Sequence, residues 1–303
     1  METITLSGSS DGIRLSAAVI APAHPKAALV LVHGLAEHKE RYFPLMTYLS
    51  EMGYACVIAD LRGHGASAAT PDDLGYFGKG GWQGLVNDTK NVVEYTRRQF
   101  PGLKIFLLGH SLGALIVNGF TQRNDRDIDG LVICGNPSRN PMAGPGVFLT
   151  RCIRLVKGDR YRSAFLEKLV TGSYDKKFRN EGLTNAWLSV NRANVQAYNN
   201  DPLCGFRFTV NGYRGTLQLL RRAYSSDGWE IGNRELPVHF IAGGNDPCIV
   251  SLKKFSQAVG FFRDRGYRRV TSKVYAGMRH EILNETGKET VWTDLASLLG
   301  SWQ

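Results

Sequence analysis

The stretch Leu107–Ile116, LLGHSLGALI, sets Ser111 between Gly109 and Gly113 directly behind an apolar run. A serine in G-x-S-x-G spacing suits a nucleophile on a sharp strand-to-helix turn, whose chemistry is acyl transfer through the serine oxygen. A second copy of the pattern, GSSDG at Gly8–Gly12, competes with it. That copy lies between ETITLS and IRLSAAVIA, which alternate like two half-exposed strands, and Asp11-Gly12 is a hairpin signal. Ser10 is therefore expected in a hairpin turn, where Ser and Gly serve the backbone. Ser111 remains the candidate nucleophile.

A serine hydroxyl needs a base, and the base needs an acid to orient it. Seven histidines are available. His24 lies in a Pro-rich loop, and His33, His38, His64 and His110 precede Ser111. His239 falls inside an apolar strand pattern and is expected in the core. His280, in GMRHEILNE just behind the last strand pattern, is left as the base, in the order Ser, acid, His. Asp246, in AGGNDPCIV, ends an apolar run and is the acid expected between them. Its rivals are poorer: Asn136 carries no charge, Asp201 lies in a long insertion, and Asp264 lies in a helical pattern. A lone Asp before Pro is ordinarily a turn residue, but strand end, chain order and His280 together favour the catalytic reading. The oxyanion needs N–H donors, for which Leu112 and Leu35 stand in the required places. The plain alternative is that His33-Gly34 merely turns the chain.

These residues need a scaffold that brings them together. The runs AALVLVHG, YACVIADLRGHG, KIFLLGHS, GLVICGN and PVHFIAGGND are continuously apolar and end in Gly, Asp, Asn or Ser. Such runs are strands buried on both faces, as in a parallel sheet. Helical patterns lie near 42–52, 82–100, 112–122, 252–265 and 289–299, with a strand TSKVYAG before the last. The alternation predicts an α/β fold with a doubly wound, mostly parallel sheet and its site at the strand carboxyl ends. Gly109 and Gly113, flanking His110 and Ser111, remove the Cβ atoms that would clash where strand and helix approach. Asp60, at its strand end, is expected to brace the RGHG turn. Residues 137–230 break the alternation with a helical or irregular pattern, too long for a bare loop. They are expected to form an inserted helical cap on a core made of residues 1–136 and 231–303.

Composition narrows the partners. The chain has 303 residues, 43% of them hydrophobic, enough for a large core. No apolar run approaches the ~20 residues that span a bilayer, and no signal peptide is evident. Five cysteines without C-x-x-C spacing argue against a disulfide framework or a zinc site and fit a reducing, cytoplasmic setting. The net charge is +10, and residues 137–230 hold 15 Lys/Arg against 7 Asp/Glu, so most of the excess is in the cap. No nucleic-acid-binding motif or aromatic-basic platform accompanies it, which leaves an anionic partner near the cap rather than a nucleic acid. The cap stretch VFLTRCIRLV mixes apolar residues with Arg; it reads as a basic amphipathic surface touching anionic membranes or as a helix with a solvated basic face.

The sequence resembles α/β-hydrolases of the monoacylglycerol-lipase and lysophospholipase-like group, also classed with the serine aminopeptidases. The resemblance rests on HGLAEHKERYFPL, ADLRGHGAS, GHSLGALI, NDPLCGF, GGNDPCIV and GMRHEILNE, in family order over nearly the whole chain. It implies Ser111 as nucleophile, His280 as base, Asp246 as acid, Leu35 and Leu112 as oxyanion donors, a cap over the site, and neither metal nor organic cofactor. Glu37, His38 and Arg41 match the family's loop, as substrate contacts or as a solvated polar loop. His33 beside them, and Cys204 and Cys248 in family-like motifs, are further candidates for the pocket wall. The strongly basic cap departs from the pattern and leaves the substrate open. The expected activity is hydrolysis of single-chain lipid esters. An aminopeptidase or amidase, a thioesterase or acyltransferase, and a non-catalytic binding protein on the same scaffold are the alternatives; the oligomeric state is not readable.

Overall fold

The computed structural model describes residues 1–303. Strands β1 (Glu2–Ser7) and β2 (Arg14–Ile20) form an antiparallel hairpin that turns at Asp11 and Gly12, both at positive φ. The GSSDG serines thus belong to a turn. The apolar runs become β3 (Ala27–Val32), α1 (Phe43–Glu51) following it, then β4 (Tyr54–Ala59), α2 (Gly81–Gln99), β5 (Ile105–His110), α3 (Leu112–Asn124) and β6 (Gly130–Cys134). Every residue of β3, β4, β5 and β6 is buried, which is why their sequences show no alternation.

Behind β6 the chain is helical: α4 (Ala143–Lys157), α5 (Ala164–Val170), α6 (Arg192–Asn200) and α7 (Val210–Ala223). It then returns to the sheet as β7 (Val238–Gly243), α8 (Leu252–Arg265), β8 (Val270–Tyr275) and α9 (Lys288–Gly300). The eight strands lie in the order β1-β2-β4-β3-β5-β6-β7-β8, antiparallel only at the two pairs made by β2. Successive side chains of a strand point to opposite faces, so β5 feeds two cores. Leu107 packs with Ile116 and Phe120 of α3 and with Phe255 and Phe262 of α8 in one. Phe106 and Leu108 pack with Leu45 of α1 and Trp292 of α9 in the other. No helix is long and apolar enough to cross a membrane.

Two details refine the expectations. His239 is half-buried rather than in the core, because β7 lies one strand from the sheet edge and its Nδ1 meets Thr271 Oγ1 of β8 at 2.7 Å. The last helix between β6 and β7, α7, sits on the main core through Val210, Tyr213 and Leu219, while α4 packs on α7 through Ala143 and Val147 against Leu217. Asp60 does brace its turn: it accepts Ala66 N–H at 2.9 Å and also the Nζ and N–H of Lys39, tying two loops together.

Candidate active site

Ser111 sits where β5 gives way to α3, with φ 56° and ψ −113°, a conformation that costs a non-glycine residue about 1–3 kcal/mol. The flanking glycines make the turn possible. A Cβ on Gly109 would lie 2.4 Å from the Gly113 carbonyl oxygen, and one on Gly113 would lie 2.1 Å from that of Val32. Ser111 lines a cavity of about 450 Å³ together with Leu35 and Leu112. Leu112 opens α3 and so has no carbonyl four residues back within the helix. The Leu35 N–H makes no hydrogen bond to the protein. Both N–H groups are thus unspent, and the residue after Leu35, Ala36, is held at φ 54°.

Asp246 leaves β7 and fixes itself by accepting the N–H of Cys248 at 2.8 Å. Its other oxygen accepts the Nδ1–H of His280 at 2.9 Å, in a pair almost completely buried. That hydrogen bond sets the tautomer and leaves Nε2 free to take a proton. Nε2 lies 3.9 Å from Cys248 Sγ and makes no hydrogen bond with Ser111. Two rings frame the imidazole: His110, with centroids 4.8 Å apart, and Trp187, at 4.9 Å. Sequence reasoning missed Trp187 and its neighbour Tyr174, which both line the cavity from the segment between β6 and β7. No motif marks them, since the contact joins residues far apart in the chain.

Glu37 and Cys248 line the cavity; His33, His38, Arg41 and Cys204 do not. Their polar atoms are spent elsewhere. His33 accepts the Leu61 N–H at 2.9 Å. Glu37 binds Gly34 N–H, Tyr42 Oη and Arg41 Nε, and Arg41 reaches on to Glu281 and Asn194. Burial would raise the Glu37 carboxyl, but His110 and Arg41 hold it well below the usual range. His38 meets Glu40 through Nδ1 at 2.5 Å and Asp201 through Nε2 at 2.8 Å. Burial opposes its charge, but Cys204, Glu40 and Asp201 outweigh this and push its pKa up to about 11. His38, Asp201 and Cys204 are close enough to share a metal ion, as are Asp246, Cys248 and His280. In the first group both imidazole nitrogens carry protons for carboxylates, so no lone pair is left for a metal. In the second, Asp246 and His280 Nδ1 are already bonded to each other. All five cysteines are free thiols.

A mostly parallel sheet with a serine elbow, an acid behind β7 and a histidine behind β8 defines an α/β-hydrolase. The chain belongs to the Hydrolase_4 family, described as serine aminopeptidase, S33, whose model matches residues 23–287. It is 25% identical to Phospholipase YtpA of Bacillus subtilis over 274 residues, 88% of this chain and 93% of that one. It is 26% identical to a monoacylglycerol lipase of Mycolicibacterium smegmatis over 292 residues, covering 96% and 94%. In structure it is similar to a thermostable carboxyl esterase from Bacillus coagulans, with a TM-score of 0.92 at 22% identity over 99% of this chain and 98% of the other. Family and fold make the protein a hydrolase.

Proposed function

We propose that the protein is a serine carboxylic-ester hydrolase acting on single-chain lipid esters, of the monoacylglycerol or lysophospholipid kind, through an acyl-enzyme. The observation that carries this is the strained Ser111 lining a largely apolar cavity whose wall also includes His280, itself hydrogen-bonded to the buried Asp246. As Ser111 Oγ bonds to the ester carbonyl carbon, His280 Nε2 takes its proton. The carbonyl oxygen becomes an oxyanion against the N–H groups of Leu35 and Leu112, each worth ~3 kcal/mol in the transition state. The C–O bond to the alcohol breaks as His280 returns the proton to the leaving oxygen. Water then gives a proton to His280 and attacks the acyl carbon, the bond to Ser111 Oγ breaks as His280 returns that proton to the serine oxygen, and the fatty acid leaves. Asp246 keeps the ring in its tautomer and stabilises the imidazolium.

The wall supports this substrate class. Leu112, Leu115, Leu169, Val170, Leu217 and Leu220 suit an acyl chain. Glu37, Asp175 and Glu281 also line the cavity, but each is already engaged within the protein, which counts against their holding a substrate α-amine. Glu37 and Glu281 are bound to Arg41, and Asp175 accepts the N–H groups of Asn185 and Trp187. Hydrolysis of p-nitrophenyl esters of graded chain length, monoacylglycerol and lysophospholipid, with Ser111→Ala as control, tests the reading. Full activity in that variant, or cleavage of aminoacyl arylamides without ester hydrolysis, would overturn it.

In this reading residues 137–230 form the cap, and its outer face meets anionic membrane surfaces. Phe148, Leu155 and Val156 on α4 and Phe165 on α5 are exposed, Leu155 at 85%, beside Arg151, Arg154 and Lys157. Apolar insertion with basic flanks is the chemistry of a peripheral lipid contact. Replacing Leu155 and Val156 by Glu is expected to abolish binding to anionic vesicles; wild-type binding that ignores lipid charge and salt would count against it.

A further inference from the structure

The loop that carries His280 is unusually rich in buried charge: Arg279, Glu281 and Glu285 are all buried. Each reaches the segment between β6 and β7. Arg279 Nη1 donates to the carbonyls of Ala186 at 2.6 Å and Ser189 at 3.3 Å, and its guanidinium forks onto both oxygens of the exposed Glu181. Its flat face covers the Phe178 ring at 4.1 Å. Glu281 N–H donates to the Leu188 carbonyl at 2.8 Å. Glu285 accepts Ser189 Oγ at 2.5 Å and the N–H groups of Val190 and Asn191 at 3.0 Å. Trp187 is the residue enclosed by these stitches, and its indole faces the His280 ring.

Arg279 does not line the cavity, so it cannot act on substrate directly. It is nonetheless the one side chain of this loop that grips the chain on both sides of Trp187. An arginine suits this task because a rigid fork can satisfy two carbonyls and a carboxylate at once. We propose that Arg279 is a positioning residue that joins the base to the cap, seating Trp187 against His280 only while its guanidinium spans Ala186, Ser189 and Glu181. The inference rests on His280 being the base, and it makes residues 178–191 a fixed wall of the site rather than part of a moving lid.

The full-length protein with Arg279→Ala, Arg279→Lys and Glu181→Gln tests this, using a short p-nitrophenyl ester and hydrogen exchange at the Glu281 amide. Arg279→Ala is expected to lower kcat by at least about tenfold with KM within about threefold, as misplaced catalytic groups do. The Glu281 amide should lose protection. Arg279→Lys should fall less, and low-millimolar guanidinium chloride should restore the alanine variant where sodium chloride of equal ionic strength does not. A folded Arg279→Ala with wild-type kcat, or one in which only KM rises, overturns the proposal. If that variant does not fold, Glu181→Gln decides by the same split: a kcat loss supports the coupling, an unchanged kcat removes it. Should the wild type hydrolyse no ester, the proposed reaction fails, while the Glu281 amide still reports whether Arg279 holds the two segments together.

Discussion

The ring of Trp187 lies 4.9 Å from that of His280, tilted by 38°, although 92 residues and two strands separate them in the chain. An indole beside an imidazole shields it from water and, on the proposed mechanism, attracts the positive charge the ring would take on as a base. Such an attraction contributes about 2 kcal/mol when desolvated, or roughly 30-fold in rate. Trp187→Leu is therefore expected to lose about that factor in kcat/KM on a short ester, and Trp187→Phe less. Equal losses in both variants would show that bulk rather than the π face matters.

Asp246→Asn keeps the shape of the site but reverses the hydrogen bond that selects the tautomer at His280. A loss of about 10⁴-fold in kcat is expected, with the fold retained. Circular dichroism and steady-state kinetics on the same preparation check this; a loss below tenfold would assign the acid role elsewhere.

Gly113→Ala tests the elbow. Its methyl group would meet the main-chain oxygen of Val32, an atom fixed in the centre of the sheet. Backbone cannot rotate out of the way, so the destabilisation should exceed about 4 kcal/mol, the range reserved for severe steric conflict. Gly260→Ala, whose added Cβ meets nothing, is the matched control. Thermal unfolding of the two variants separates them.

The His38 ion pairs carry a pH signature. The folded pKa, about 11, lies above the ordinary 6.5, so the protonated ring stabilises the fold fully below pH 6.5. That contribution declines as pH rises from there toward 11. The melting temperatures of wild type and His38→Gln should differ most near pH 6 and converge as the solution becomes alkaline. A constant gap would mean that folding leaves the His38 pKa where it is in the unfolded chain.

The strands were legible as apolar runs, and the positions of Ser111 and Asp246 because each lies just past one, where a parallel sheet collects its loops; His280 was reached by elimination and chain order behind the last strand pattern. The hairpin decoy was legible too, through Asp11-Gly12. Trp187 and Arg279 were not. Their roles come from contacts across the fold, and in sequence Arg279 resembles any solvated arginine beside a loop. Glu37, His38 and Arg41 were readable as a notable cluster but not as to task. Three charges in one loop look like solvated polarity until the partners that bury them, Glu281 and Asp201, come into view. His239 was misjudged because a strand's place in the sheet, centre or edge, is a property of topology rather than of its own residues.

The two halves of the insertion are attached in different ways. Residues 174–205 are joined to the loops that carry His280 and Leu35 by buried charges and by the Gly205 N–H to Ala36 bond. The α4–α5 half rests on apolar packing and on surface pairs such as Arg160 with Asp73 and Glu167 with Arg207. Mutation can therefore rewrite the α4–α5 half without disturbing the machinery beneath it. New acyl preferences in descendants of this chain, natural or laboratory-made, should arise first as changes in residues 140–172, which makes that stretch the place to graft when a different chain length is wanted.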